Sequence, residues 1–179
     1  GATGKWNGGD GKTIDLHLVS NPSHLEAVDP VAMGRARAKQ TRLGNEAYLQ
    51  VLPILIHGDA ALAGQGICAE AINLASVNGF SVGGVIHVIV NNLIGFTAGP
   101  EESNSSLFAS DVAKRLDIPI FHINAEDPDA AVRVARIAID YRSAFGTDVV
   151  VDLIGYRRYG HSEIDDPTVT QPLRYARIK

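Results

Sequence analysis

From residue 51 onward the apolar positions fall into a repeating rhythm. Val51-Leu52-Pro53-Ile54-Leu55-Ile56 is continuously apolar and predicts a buried strand over 51–56. Similar runs predict strands over 85–90, 119–123 and 149–154. Helical spacing separates them. Ile67, Ala71, Leu74, Ala75 and Val77 predict a helix over 65–78 that Gly79 stops. Asp111 can cap a short helix over 111–117. Asp127 as N-cap, with Pro128 behind it, opens a helix that reaches Phe145 and ends at Gly146. Residues 155–172 carry no periodicity and read as a loop.

The first fifty residues are less regular. Gly8-Gly9-Asp10-Gly11 is a turn cluster, and the stretch 13–19 alternates with Ile14, Leu16 and Leu18 on one face, which predicts a strand. Pro22 biases Asn21 away from helix, so Asn21-Pro22-Ser23-His24 is extended or a turn. A helix with a basic face (Arg35, Arg37, Lys39) is expected over 31–40. Taken together, apolar strands alternating with helices predict an α/β fold, a parallel sheet with helices on both faces. Ligands of such sheets bind beyond the carboxyl ends of the strands. That rule directs attention to His57-Gly58-Asp59, Asn91-Asn92, Asn124-Ala125-Glu126 and the loop after Ile154.

Composition narrows the possible functions. A chain of 179 residues, 45% hydrophobic and 20% charged, has the size and core of one domain. Its longest apolar run already contains Pro53, so no membrane span is expected. The single cysteine, Cys68, excludes a disulfide framework and a cysteine-based zinc site and reads as a core thiol. A net charge of −4 with no basic block argues against nucleic acid. The chain opens at Gly1 without Met and stops at Lys179 in a charged segment, so both ends look truncated.

Two phosphate motifs are only superficially matched. Gly11-Lys12-Thr13 resembles the end of a P-loop, but Trp6 occupies the position of the first glycine and no strand precedes it, which leaves a hairpin turn. Gly64-Gln65-Gly66-Ile67-Cys68-Ala69 fits a dinucleotide fingerprint but lies too far beyond its strand. The next strand then ends in Asn91-Asn92 where an acid for the ribose is needed. Asp59 and Asn92 make a better pair. Each follows a buried strand, and a carboxylate, an amide oxygen and a nearby carbonyl are hard ligands suited to Mg²⁺ with phosphate oxygens. The turn over 63–66 then opens a helix whose N-terminus can face a phosphate. The same residues suit a helix cap and a turn, and chemistry alone leaves both readings open. His161, beside Arg157 and Arg158 in the run from Tyr156 to Glu163, suits anion contact and proton transfer. His24 sits in a proline turn. His57, His87 and His122, in or beside strands, read as structural histidines.

These residues resemble those of the thiamine-diphosphate (ThDP) enzymes, whose motif is Gly-Asp-Gly, about thirty residues, then Asn-Asn. The branch is identified as the E1 component of the 2-oxoglutarate dehydrogenase complex. It is carried by Ser20-Asn21-Pro22-Ser23-His24-Leu25-Glu26, His57-Gly58-Asp59-Ala60-Ala61, Gly64-Gln65-Gly66, Asn91-Asn92-Leu93-Ile94-Gly95-Phe96-Thr97, Pro119-Ile120-Phe121-His122-Ile123-Asn124 and the stretch from Asp148 to Glu163. The chain departs from the family's usual residues at Leu93, Ala98, Asn104 and Phe108, while Asp59 and Asn92 are intact.

The resemblance implies that residues 1–179 form the diphosphate and Mg²⁺ half of a ThDP-binding domain, with 1–50 as an approach segment. Asp59, Asn92 and the carbonyl of Ile94 would bind Mg²⁺. Ser23, Leu25, Ala60 and Ala61 would contact ThDP, His161 would reach the diphosphate and assist acyl transfer, and His24 would face the substrate. The implied activity is succinyl-transferring 2-oxoglutarate dehydrogenase, an oxidative decarboxylase of the tricarboxylic acid cycle. Its partners would be a 2-oxo acid, a lipoyl-bearing E2 and a second E1 copy in a homodimer. That copy's ThDP-binding half supplies the glutamate that activates the aminopyrimidine, and the isolated chain is expected to be inactive. The expected compartment is the bacterial cytoplasm, or the mitochondrial matrix in a eukaryote. Alternatives are a 2-oxoadipate-directed or carboligating homologue and, in another class, a non-catalytic module that binds a nucleotide or ThDP.

Overall fold

The computed structural model describes residues 1–44, 47–162 and 164–178. A hairpin comes first: β1 (Ala2–Asn7) pairs antiparallel with β2 (Thr13–Leu18). The hairpin turn expected at Gly11-Lys12-Thr13 is present, with the Gly8 N–H donating to the Lys12 carbonyl at 2.8 Å. β1, in the stretch before Gly11 where no strand is expected from the sequence, forms because that turn folds it back against β2. Ile14, Leu16 and Leu18 are all exposed, as is Trp6.

The main sheet has four parallel strands in the order β3 (Ile54–Gly58), β4 (Ile86–Asn91), β6 (Val149–Ile154), β5 (Ile120–Asn124). All four were legible as apolar runs. β3 starts three residues later than expected because Pro53 has no N–H; its carbonyl instead accepts from Ile86 at 3.2 Å. Helix α1 (Val28–Leu43), the pair α2 (Asp59–Gly64) and α3 (Gly66–Leu74), and a 3-10 stretch (Ala109–Arg115) cover one face. α5 (Pro128–Phe145) covers the other through Ala138, Val134 and Tyr141. Chain direction explains this division: α2 and α3 carry the chain one way across the sheet and α5 carries it back. Right-handed crossovers then require opposite faces. Since α5 packs over the β6 side, Ile54 and Ile56 at the β3 edge stay exposed.

Local chemistry sets the helix ends. The Asp127 carboxylate accepts from Ala130 N–H at 2.9 Å, Pro128 begins α5, and Gly146 closes it in the left-handed region at φ 63°. The helix expected over 65–78 is α3, which ends four residues early at Leu74, and a helix not expected from the spacing, α2, precedes it. α2 begins directly at Asp59, and an extended Gln65 (φ −86°, ψ 122°) interrupts before α3. Gly64 and Gly66, poor helix residues on either side of Gln65, permit the break. The expected helix over 111–117 is the 3-10 stretch, two residues earlier. A short α4 (Pro100–Ser103) and the later α6 (Pro172–Ile178) complete the set.

One buried cation fastens the strand entrances. Arg142 of α5 donates to the carbonyls of Gly84 at 3.1 Å, Val51 at 3.1 Å and Val82 at 3.3 Å, and also to that of Tyr48. Close approach requires glycine here: a Cβ on Gly84, whose φ is +91°, would lie 2.2 Å from the Thr147 carbonyl oxygen. The amino ends of the sheet are thereby fixed, and the carboxyl ends are left for ligands. Among the described residues, no helix is long and apolar enough to cross a membrane.

Candidate active site

The carboxyl ends of the strands meet where the sequence pointed. Gly155 N–H donates to the Asn91 carbonyl at 2.8 Å and Ala125 N–H to that of Ile154 at 2.9 Å, so three strand ends form one rim. A hollow of about 360 Å³ opens there, lined by Asn91, Asn92, Glu126, Gly155 and Tyr156 among others.

Asp59 is the first residue of α2 and is buried at the tip of β3. Burial pushes its carboxyl above the ordinary value, while backbone N–H groups of Asn92, Leu93 and Ala60 turned toward it oppose that shift. Asp59 therefore lies against the backbone of the Asn92 loop. The two segments touch again at Gly95, where an added Cβ would come 3.1 Å from that of Ala60. The Asn92 Oδ1 is buried and accepts no hydrogen bond. Buried amide oxygens rarely stay unpaired, and an oxygen-seeking cation is one of the few partners that satisfies them. Ile94, two residues on, is buried too. A carboxylate, an orphan amide oxygen and a loop carbonyl are a donor set suited to Mg²⁺, and the residues present fit that ion.

The loop is held under strain. Leu93 (φ 60°) and Phe96 (φ 58°) both occupy the left-handed region, at roughly 1–3 kcal/mol each for non-glycine residues. Arg174, from α6, secures it by donating to the Leu93 carbonyl and, at 3.4 Å, to that of Asn92. Gln171 reaches the Thr97 carbonyl at 3.4 Å. Sequence reasoning missed Arg174 because α6 follows an aperiodic loop; Pro172 at the first helical position was the available signal. Arg174→Met should weaken Mg²⁺ binding by about 10–100-fold, the usual effect of losing a residue that orients a ligand. Calorimetric titration of the full-length protein checks this, and unaltered affinity would remove Arg174 from the site.

His161 is exposed on the loop after β6, and its ring meets that of Phe96 edge-on, centroids 5.4 Å apart at 77°. The β6 loop is thus brought to the Asn92 loop. Glu163, from the same sequence run, lies outside the described residues. Ser23, His24 and Leu25 are exposed on the turn before α1, where neither Ser23 nor His24 makes a side-chain hydrogen bond among the described residues. Glu26 pins this turn beside β3: at φ 63° it turns a carboxylate inward to His57 Nδ1, 2.7 Å away. His57 stands two residues before Asp59, so the turn flanks the strand that carries the acid. Ala60 and Ala61, in the first turn of α2, are half-buried. The helix N-terminus expected after the 63–66 turn is not the one at the strand tip; α2 takes that place and starts at Asp59 itself.

Behind the rim lies a buried network that the apolar pattern concealed. Asp152, in the middle of β6, accepts from Asn91 Nδ2 at 3.1 Å and Ser110 Oγ at 3.0 Å and pairs with His122 Nδ1 at 3.0 Å. It orients Asn91 and so sets the exit of β4. His122 also stacks on Phe108, and its structural reading stands. An acid in the otherwise apolar 149–154 run was the visible signal.

A family model described as "Dehydrogenase E1 component" matches residues 4–179. The chain is 55% identical over 166 residues to the "Multifunctional 2-oxoglutarate metabolism enzyme" of Mycolicibacterium vanbaalenii, covering 90% of this chain and 13% of that one. It is 54% identical over 165 residues to the protein of that name from Mycobacterium sp. (strain JLS), with 90% and 13% covered. The chain therefore spans about one-eighth of the length of these curated relatives.

Proposed function

This chain belongs to the dehydrogenase E1 component family, and from that premise we propose that it is the diphosphate- and Mg²⁺-binding half of a 2-oxoglutarate dehydrogenase E1. The activity is ThDP-dependent decarboxylation of 2-oxoglutarate with succinyl transfer to the lipoyl group of E2. One observation carries the reading: the buried, unpartnered Asn92 Oδ1, on the loop whose backbone meets the buried Asp59 carboxylate. The names of the mycobacterial relatives supply the substrate.

Asp59, Asn92 and the Ile94 carbonyl hold the cation, which screens the diphosphate. Ala60 and Ala61 face the diphosphate from α2, while Ser23 and Leu25 face the cofactor from the turn before α1. His161 reaches the diphosphate side, and His24, free of side-chain bonds, is available to orient the 2-oxo acid. ThDP, when bound, supplies the electron sink for decarboxylation. A second ThDP-binding half across a dimer supplies the glutamate, and the bare apolar edge at Ile54 and Ile56 supports a partner there. The bacterial relatives support a cytoplasmic setting.

Turnover measured on the full-length protein tests the substrate. The expected result is a higher kcat/KM for 2-oxoglutarate than for 2-oxoadipate, with no turnover by residues 1–179 alone. Preference for 2-oxoadipate would reassign the substrate, and turnover by the isolated chain would refute the dependence on a second half. The word "multifunctional" in the relatives' names supports one further reading, in which the same site also ligates the decarboxylated unit to a second carbonyl substrate.

A further inference from the structure

On the far side of β3 from solvent, four buried side chains aim their donor atoms at one volume. Glu26 comes from the turn before α1, Asp29 from α1, His57 from β3 and Cys68 from α3. Their ligand atoms all lie within 4.8 Å of one another.

A line of ring contacts connects this volume to a buried carboxylate. Asp148 Oδ2 lies 3.3 Å from His87 Nε2, and His87 Nδ1 lies 3.0 Å from His57 Nε2. A carboxylate only accepts, so the proton on His87 resides on Nε2. His87 Nδ1 is then a bare lone pair and takes the proton of His57 Nε2. On the other side of the ring, His57 Nδ1 lies 2.7 Å from Glu26 Oε2 and 3.6 Å from Asp29 Oδ2. Between that nitrogen and two buried carboxylates there must stand either a proton or a bound cation.

A proton between His57 and Glu26, with the Asp29 carboxyl and the Cys68 thiol also turned toward Glu26, is the competing arrangement. It leaves Asp29 Oδ2, on a side chain only 3% exposed, without a partner of its own among the described residues. The Cys68 thiol lies 3.9 Å from the Ala61 carbonyl and also meets the Glu26 carboxylate. A four-coordinate metal uses all four groups. We propose that Glu26, Asp29, His57 and Cys68 bind one structural Zn²⁺ with no open position, which pins the turn carrying Ser23–Leu25 to β3. Zinc bonds of about 2.0–2.3 Å set tetrahedral ligand spacings near 3.3–3.7 Å, which the 3.6 Å between His57 and Asp29 matches. The Glu26–His57 spacing has to open by roughly half an ångström to fit.

The surroundings agree. Metal-bound histidines usually donate their second ring N–H to a fixed acceptor, and His87 backed by Asp148 is such an acceptor. Burial, then the neighbouring carboxylates, push the Cys68 thiol up to about 12, a shift that a divalent cation at this point reverses. A lone cysteine excludes sites built from several thiols; it does not exclude a mixed set. The site is separate from the all-oxygen one at Asp59 and Asn92, on which it does not depend.

The full-length protein, purified without chelator and kept in excess Mg²⁺, provides the test. Elemental analysis should find about one zinc per chain, and Co²⁺ replacement should produce a thiolate-to-cobalt charge-transfer band in the near ultraviolet. The oxygen-only site cannot give that band, and Cys68→Ser should abolish it. His87→Ala, which keeps all four ligands, should weaken Co²⁺ binding by about 10–100-fold. Zinc bound without the thiolate band in the wild-type protein would place the ion elsewhere and overturn the assignment. So would the absence of both, leaving a proton between His57 and Glu26.

Discussion

Asp59→Ala should eliminate Mg²⁺-dependent ThDP binding. The expectation rests on a buried carboxylate and, on the loop that meets it, a buried amide oxygen without a partner among the described residues. Burial raises the Asp59 carboxyl above its ordinary value, and Asn92 Oδ1 has no partner. A bound cation answers both, favouring the ionised carboxylate and filling the amide oxygen's vacancy. Losing a residue that merely orients a metal ligand weakens binding about 10–100-fold, so losing a charged ligand should exceed 100-fold. Asp59→Asn keeps the shape and one oxygen and separates loss of charge from loss of packing; it should also bind poorly. Calorimetry of ThDP with and without Mg²⁺ reads the result, and undiminished affinity in Asp59→Ala would end the metal assignment.

How much of this could be read in advance depended on the type of signal. The four sheet strands are nearly continuous apolar runs, and such runs announce themselves even where, as at Ile54 and Ile56 of β3, one face stays exposed. Asp59 and Asn92 were legible because the rule for parallel sheets places ligands at strand ends. The caps of α5 were legible because Asp127, Pro128 and Gly146 each act locally. What escaped was long-range. Arg174 reaches the Asn92 loop from α6, across more than eighty residues of chain, and no local pattern encodes that. β1 exists only as the partner of β2. α2 escaped for a local reason: it is only six residues long and precedes the spaced apolar run that begins at Ile67. The Glu26–His57–His87–Asp148 line draws on four separate segments, each an unremarkable polar residue until the sheet aligns them. His57 and His87 then become neighbours because β3 and β4 pair in parallel register, with Leu55 opposite His87.

His161→Ala should slow acyl transfer to the lipoyl group far more than it weakens ThDP binding. His161 is exposed, and what holds it is the edge of the Phe96 ring, not the buried cation ligands. Phe96 itself sits two residues past Ile94, in the strained part of the loop at φ 58°. On the proposed function, the imidazole stands on the exposed side of the Asn92 loop, where an incoming lipoyl arm would meet it. Asp59 and Asn92 remain buried behind it and continue to secure the diphosphate. A positioned histidine that moves a proton in the rate-determining step contributes about 10²–10⁴-fold. Single-turnover transfer should fall within that range, while the ThDP affinity stays close to that of the wild type. Phe96→Leu, which removes the edge contact but keeps an apolar side chain, should produce a smaller loss of transfer in the same direction. An unchanged transfer rate in His161→Ala would assign the proton to another group, and a collapse of ThDP binding would make His161 a cofactor ligand rather than a transfer residue.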